Sequence, residues 1–138
     1  MVVPKFRAWH KAMQRMSEVL AISYERQKVK IKHLRGTTHM TVPLDDVVLM
    51  QSTGVFDVNG QEIFEGHVVE STWFNDYDDC VGYRKAGTVV YKNGYFGIEY
   101  PGDVEKGYSP TILDFAISVE IISNIYENPE LVEEATND

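Results

Sequence analysis

The sequence predicts a mainly β fold: a small SH3-like or partly open β-barrel with an N-terminal β-hairpin arm and a short C-terminal helix. Three observations carry the prediction. Val29, Ile31 and His33 alternate with Lys28, Lys30 and Lys32, the period of a strand with one apolar face. Gly54, Gly60 and Gly66 punctuate the middle of the chain at intervals of six. Asn93-Gly94, a dipeptide that takes positive φ readily, separates two apolar runs and marks a hairpin. At 138 residues the chain has the length of one domain, and 43% hydrophobic residues supply the apolar surface that disordered chains lack.

Taken in order, Lys5 to Leu20 is ambiguous, because Trp9, Met13, Met16 and Leu20 also fit a helix face. Val19 to Leu34 reads as a hairpin about Glu25-Arg26-Gln27. The lysines along its second strand suit an exposed edge, where charge blocks unwanted pairing. Gly36 to Pro43 reads as a turn-rich connector, and in Leu44 to Met50 the acids Asp45 and Asp46 suit the opening of a helical turn. Asp57-Val-Asn-Gly60 is a tight-turn signal. His67 to Phe74 reads as a strand and Asn75 to Gly82 as an acidic loop. Thr88 to Tyr91 and Tyr95 to Tyr100 are the arms of the Asn93-Gly94 hairpin. Pro101 to Pro110 reads as a second loop and Val119 to Tyr126 as an isoleucine-rich strand. Asn128-Pro129 offers a cap and a first-turn proline for an acidic helix toward Ala135. The expected organisation is a single domain with a basic arm over 1–42, a β core over 43–128 (the barrel over 44–126) and an acidic C-terminal helix or tail over 129–138.

Charge is the second feature. Lys and Arg number 13 against 21 Asp and Glu, a net charge of -8. Residues 1–42 hold nine bases and two acids, Glu18 and Glu25, and so carry +7, while the remainder carries -15. No stretch nears the roughly 20 apolar residues of a membrane helix, and the start shows no signal-peptide pattern. One cysteine, Cys80, excludes an intrachain disulfide framework and fits a reducing, cytoplasmic compartment.

Four blocks of the sequence, Lys5-Phe-Arg-Ala-Trp9, Leu49 to Gly66, Gly87-Thr-Val-Val-Tyr91 with Phe96-Gly97, and Val119 to Leu131, resemble the YopX family of proteins encoded by phages and prophages of bacteria, largely Gram-positive. His67 departs from the family's usual Asp, and Ser123 from its usual Gly. The resemblance implies a mostly β protein with a barrel-like part, and no defined activity.

Each candidate site in the sequence also has a plainer reading. Asp76, Asp78 and Asp79 are candidate ligands for a divalent cation, since such ions take carboxylate oxygens, but the EF-hand spacing fails at Cys80 and Val81. A solvated loop explains the same residues. Asp57, Glu62 and Glu65 form a possible carboxylate group without a partner base or nucleophile. His10, His33, His39 and His67 lack zinc-site spacing, and His33 reads as a core histidine. Cys80 beside aspartates is a poor nucleophile. No catalytic motif or cofactor fingerprint is present, so the expectation is a protein without cofactor that is not an enzyme, a metal-dependent enzyme being the remote alternative.

The stronger lead is the basic arm. Lys5, Arg7, Trp9, Arg26, Lys28, Lys30, Lys32 and Arg35 suit a partner surface. They fit docking on acidic protein, including a second copy in a homo-oligomer or a host or phage protein. They also fit nucleic-acid binding through phosphate contacts and stacking, though the acidic remainder opposes it. Lysines facing water are the third reading. The leading expectation is a phage-encoded accessory protein acting through protein contacts and self-association.

Overall fold

The computed structural model describes residues 5–33, 38–74, 82–113 and 118–127. The chain is mainly β and divides at Ser52/Thr53 into two compact units, each built on antiparallel strands. The ambiguous opening is strand, with β1 (Phe6–His10) and β2 (Arg15–Ser23) joined by a turn. His10 Nδ1 accepts the Met13 N–H across that turn at 3.1 Å, and Gln14 takes positive φ to close it.

The hairpin about Glu25-Arg26-Gln27 forms as the alternation predicts, with β3 (Lys28–His33) pairing β2. Two expectations change next to it. The stretch before Pro43 is not only connector: His39–Pro43 is strand β4, whose Thr41 and Val42 fit a pleated surface. Because β4 pairs β3 throughout, the lysine-bearing strand is internal and the edge is β4.

A 3-10 turn, Leu44–Asp46, then leads to β5 (Val47–Phe56), which lies on the far side of β1 in the order β4-β3-β2-β1-β5. Four residue steps from Pro43 to Val47 span at most about 14 Å. Four strand spacings in a flat sheet measure about 19 Å. This sheet must therefore curl, and Ala8, Val29, Ile31, Val42 and Val47 fill its concave apolar face with Val19, Ile22, Leu44 and Leu49 against them. Neither sheet closes into a barrel, in agreement with the partly open form of the expected fold; the curl lies in residues 6–52, and residues 44–126 contribute strands to both sheets rather than forming one.

In the second unit, the end of β5 continues through the Asp57–Gly60 turn to β6 (Glu62–Phe64), which pairs it and ends the six-stranded sheet β4-β3-β2-β1-β5-β6. Strands β7 (His67–Phe74), β8 (Gly82–Lys92), β9 (Tyr95–Glu99), β10 (Thr111–Ile112) and β11 (Val119–Asn124) form a sheet in the order β10-β9-β8-β7-β11. Asn93 and Gly94 both take positive φ in the β8–β9 turn, as their sequence predicts. A short helix, α1 (Pro101–Glu105), occupies part of the segment expected to be loop, with Pro101 in its first turn.

The second core gathers Ile63, Val69, Val89, Ile98, Tyr100, Leu113 and Val119. A Cβ on Gly87 would meet Ile98 Cγ2 at 2.6 Å and Tyr100 Cδ1 at 2.9 Å, so β8 approaches β9 closely because residue 87 has no side chain. The buried Tyr100 hydroxyl bonds Ser71 Oγ, and Lys85 Nζ lies 4.4 Å from its ring centroid. The acidic loop over 75–82 lies almost wholly outside the described residues, as does the helix expected from 129. No helix among the described residues is long and apolar enough to cross a membrane.

Candidate partner-binding face

Strand register decides which of the basic residues share a surface. Ala8, Ser17, Ile31 and Met40 point to the concave apolar side, so their neighbours in sequence point to the other. That other face carries a row Arg7, Glu18, Lys32, His39 across β1 to β4. Beyond it come the rows Ala21, Lys30, Thr41 and Ser23, Lys28, Pro43. Glu18 thus lies between Arg7 and Lys32, whereas neither Lys28 nor Lys30 has an acidic residue across from it in β2 or β4.

The face is graded from covered to open. Met16 and Met50 are buried and Trp9 half-buried at the β1 and β5 side, while Lys28, Lys30, His39 and Thr41 are exposed at the β3 and β4 side. Of the eight residues read as a partner surface, Arg7, Trp9, Lys28, Lys30 and Lys32 share this face. Arg26 sits in the adjoining turn, its N–H donating to Ser23 Oγ at 3.2 Å. Lys5 precedes β1, where its carbonyl accepts the Ser52 N–H at 2.8 Å. Arg35 lies outside the described residues. Sequence reading missed Tyr24, 77% exposed in the same turn as Arg26. It also missed β4, whose alternation is short and hidden by the flanking glycine and proline.

The carboxylate group around residue 57 resolves into a structural device. Asp57 Oδ1 accepts the N–H groups of Asn59 at 3.0 Å and Gln61 at 2.8 Å. Its Oδ2 accepts the N–H of Ile121 at 3.1 Å, and the Val58 N–H donates to the Val119 carbonyl at 3.0 Å. Burial raises the Asp57 carboxyl, but these three donors and the positive field of His67 outweigh it, so the group sits below its ordinary 3.8. Asp57 and Val58 therefore occupy the outer edge of β11 as a strand would. His67, buried, uses Nδ1 to accept the Phe64 N–H at 2.9 Å. Burial, and then the charge of Glu65, raises Tyr126 above its ordinary 10.0.

Asp76, Asp78, Asp79 and Cys80 lie outside the described residues. Among the described residues no three His, Cys, Asp or Glu side chains gather as metal ligands.

Comparison with known proteins places these features in a family. The family described as YopX protein matches residues 5–133. The solved structure of protein EF1440 from Enterococcus faecalis is similar at a TM-score of 0.62 with 27% identity, over 96% of this chain and 99% of that one. Protein yopX from Bacillus subtilis shares the fold at a TM-score of 0.57 and 21% identity, over 92% and 96% of the two chains. No curated protein matches the chain.

Proposed function

The chain belongs to the YopX family, and from that premise we propose that it is a phage- or prophage-encoded accessory protein of the bacterial cytoplasm, not an enzyme, that acts through protein contacts and associates with itself. The observation that carries this reading is the coincidence of charge with architecture. Residues 1–52 hold nine bases against four acids, and residues 53–138 hold four against seventeen, so each compact unit has its own sign. The positive unit gathers Lys28, Lys30 and Lys32 on one exposed face. Such a face docks on an acidic protein surface, and the acidic unit of a neighbouring copy supplies one. A contact between two different patches runs head to tail and closes as a ring or continues as a filament.

Complementary charge of this kind is screened over about 10 Å at 0.1 M salt. Light scattering across a salt titration tests the reading. The expected result is a mass above the 15.8 kDa of one chain at low salt that falls as salt rises. A single-chain mass at every salt concentration overturns self-association.

One observation favours a second reading, accessory nucleic-acid binding: Tyr24, beside Arg26 and Lys28, is an exposed aromatic among bases. Its requirement is salt-dependent binding of single-stranded DNA that Tyr24→Ala weakens. Equal binding by that variant removes the stacking role.

A further inference from the structure

We infer that the outer edge of β4 is a strand-addition site, which takes an extended protein segment carrying acidic side chains at alternate positions. The inference deepens the protein-contact reading above and rests on it.

The phase of the β3–β4 ladder fixes which backbone groups are open. The Leu44 N–H donates to the Gln27 carbonyl at 2.9 Å, in the same register that pairs Lys28 with Pro43 and Val29 with Val42. In an antiparallel pair every second residue exchanges bonds with its partner strand. Val42 and Met40 therefore bond inward to β3, while His39, Thr41 and Pro43 turn their backbone groups outward. Proline fits this phase, because at position 43 its missing N–H removes no bond to β3. The open edge offers two donors, from His39 and Thr41, and three acceptors, from His39, Thr41 and Pro43. Among the described residues nothing pairs with them, since β4 ends the sheet.

Natural edges are blunted by shortness, by proline or by charge on the edge strand itself; β4 is short and ends in Pro43, which limits an added strand to a few residues. Here β4 carries no Lys, Arg, Asp or Glu; the lysines lie one strand further in. An added strand would put the side chains opposite His39, Thr41 and Pro43 on the face that carries Lys32, Lys30 and Lys28. Thr41 is short, and the four-carbon stem of Lys30 spans it to meet an acid on the added strand. On the other face, residues opposite Met40 and Val42 extend the apolar surface of Val29 and Ile31. The fitting sequence alternates acid and apolar residue. A second β4 fits poorly, since it would bring a second lysine row to the same face.

This geometry makes a sharp distinction. We take the added strand to run antiparallel to β4, as every pair in this sheet does; its acidic residues, opposite 39, 41 and 43, then direct their N–H groups at β4, and its apolar residues direct theirs away. The probe is a fluorescein-labelled decapeptide of alternating glutamate and valine, titrated by anisotropy against the full chain. Methylating the glutamate amides is expected to weaken binding about tenfold or more, as lost backbone bonds do, and methylating the valine amides to leave it unchanged. Thr41→Pro, which removes an outward N–H and no inward bond, and Lys30→Glu, a surface change, are each expected to weaken the parent peptide by a similar factor. Equal binding of the two methylated peptides overturns strand addition and leaves charge docking standing. No binding by any peptide also overturns it, while the light-scattering result judges the parent reading separately.

Discussion

Each of the two units has a sheet that ends in a strand of five or six residues, β4 in one and β11 in the other. Along β11 the outward N–H of Ile121 meets Asp57 Oδ2, and the outward carbonyl of Val119 meets the Val58 N–H. Along β4 the corresponding groups of His39 and Thr41 have no such cover among the described residues. The β11 edge is thus covered by a carboxylate held by three amides, whereas among the described residues the β4 edge stays open beside a lysine row. Open polar edges invite another strand, so of these two edges β4 is the one free to pair among the described residues.

The largest effects test whether the two cores are separate. Ile31 belongs to the first core and Ile98 to the second, and both are fully buried. Truncation of either to alanine is expected to cost about 2–5 kcal/mol. Trp9 and Trp73 lie one in each unit, so urea unfolding of single-tryptophan variants follows each unit separately. Ile31→Ala should lower the Trp9 midpoint most, and Ile98→Ala the Trp73 midpoint most; equal shifts of both would join the cores into one cooperative unit. Next in size, Gly87→Ala forces a Cβ against Ile98 and Tyr100 and is expected to cost about 1–3 kcal/mol, as overpacking does, again read at Trp73.

The edge seal comes third. Asp57→Asn cannot accept all three amides, because one end of its side chain now donates. It should cost about 1–2 kcal/mol at pH 7, in the range for an orphaned buried group. The sign with pH follows from the lowered carboxyl: its contribution is complete above the ordinary 3.8 and is lost as pH falls through the lower folded value. The gap between wild type and variant, measured by denaturant midpoints, should therefore close below about pH 4. A constant gap down to pH 2 would mean that the Asp57 charge contributes nothing.

Local patterns were legible in the sequence where the cause is local. The β2–β3 hairpin follows from lysines alternating with Val29 and Ile31, and the β8–β9 turn from Asn93-Gly94. Strand β4 was hidden because five residues ending at proline resemble a loop, and only its pairing with β3 makes it a strand. That omission also made β3 look like the edge. Asp57 stood out as an acid near Glu62 and Glu65, but its work depends on Ile121, 64 positions away, which no spacing rule reveals. The basic residues were legible as a group, while their shared face required the register of four strands.

The smallest effect on folding is expected to be the largest on association. Lys28 and Lys30 are exposed, and no acid faces either of them across β2 or β4. Replacing Lys28, Lys30 and Lys32 together by glutamine should change unfolding stability by less than about 0.5 kcal/mol each, as surface substitutions do. If the lysine row is where the acidic unit of a neighbouring copy docks, as proposed, the same variant should lose the salt-dependent rise in light scattering expected of the wild type. A variant whose scattering equals that of the wild type at every salt concentration would separate the lysine row from docking and return those side chains to the role of solvated surface. A variant that is monomeric at every salt concentration, beside a wild type that associates at low salt, would assign that association to the charge of this row.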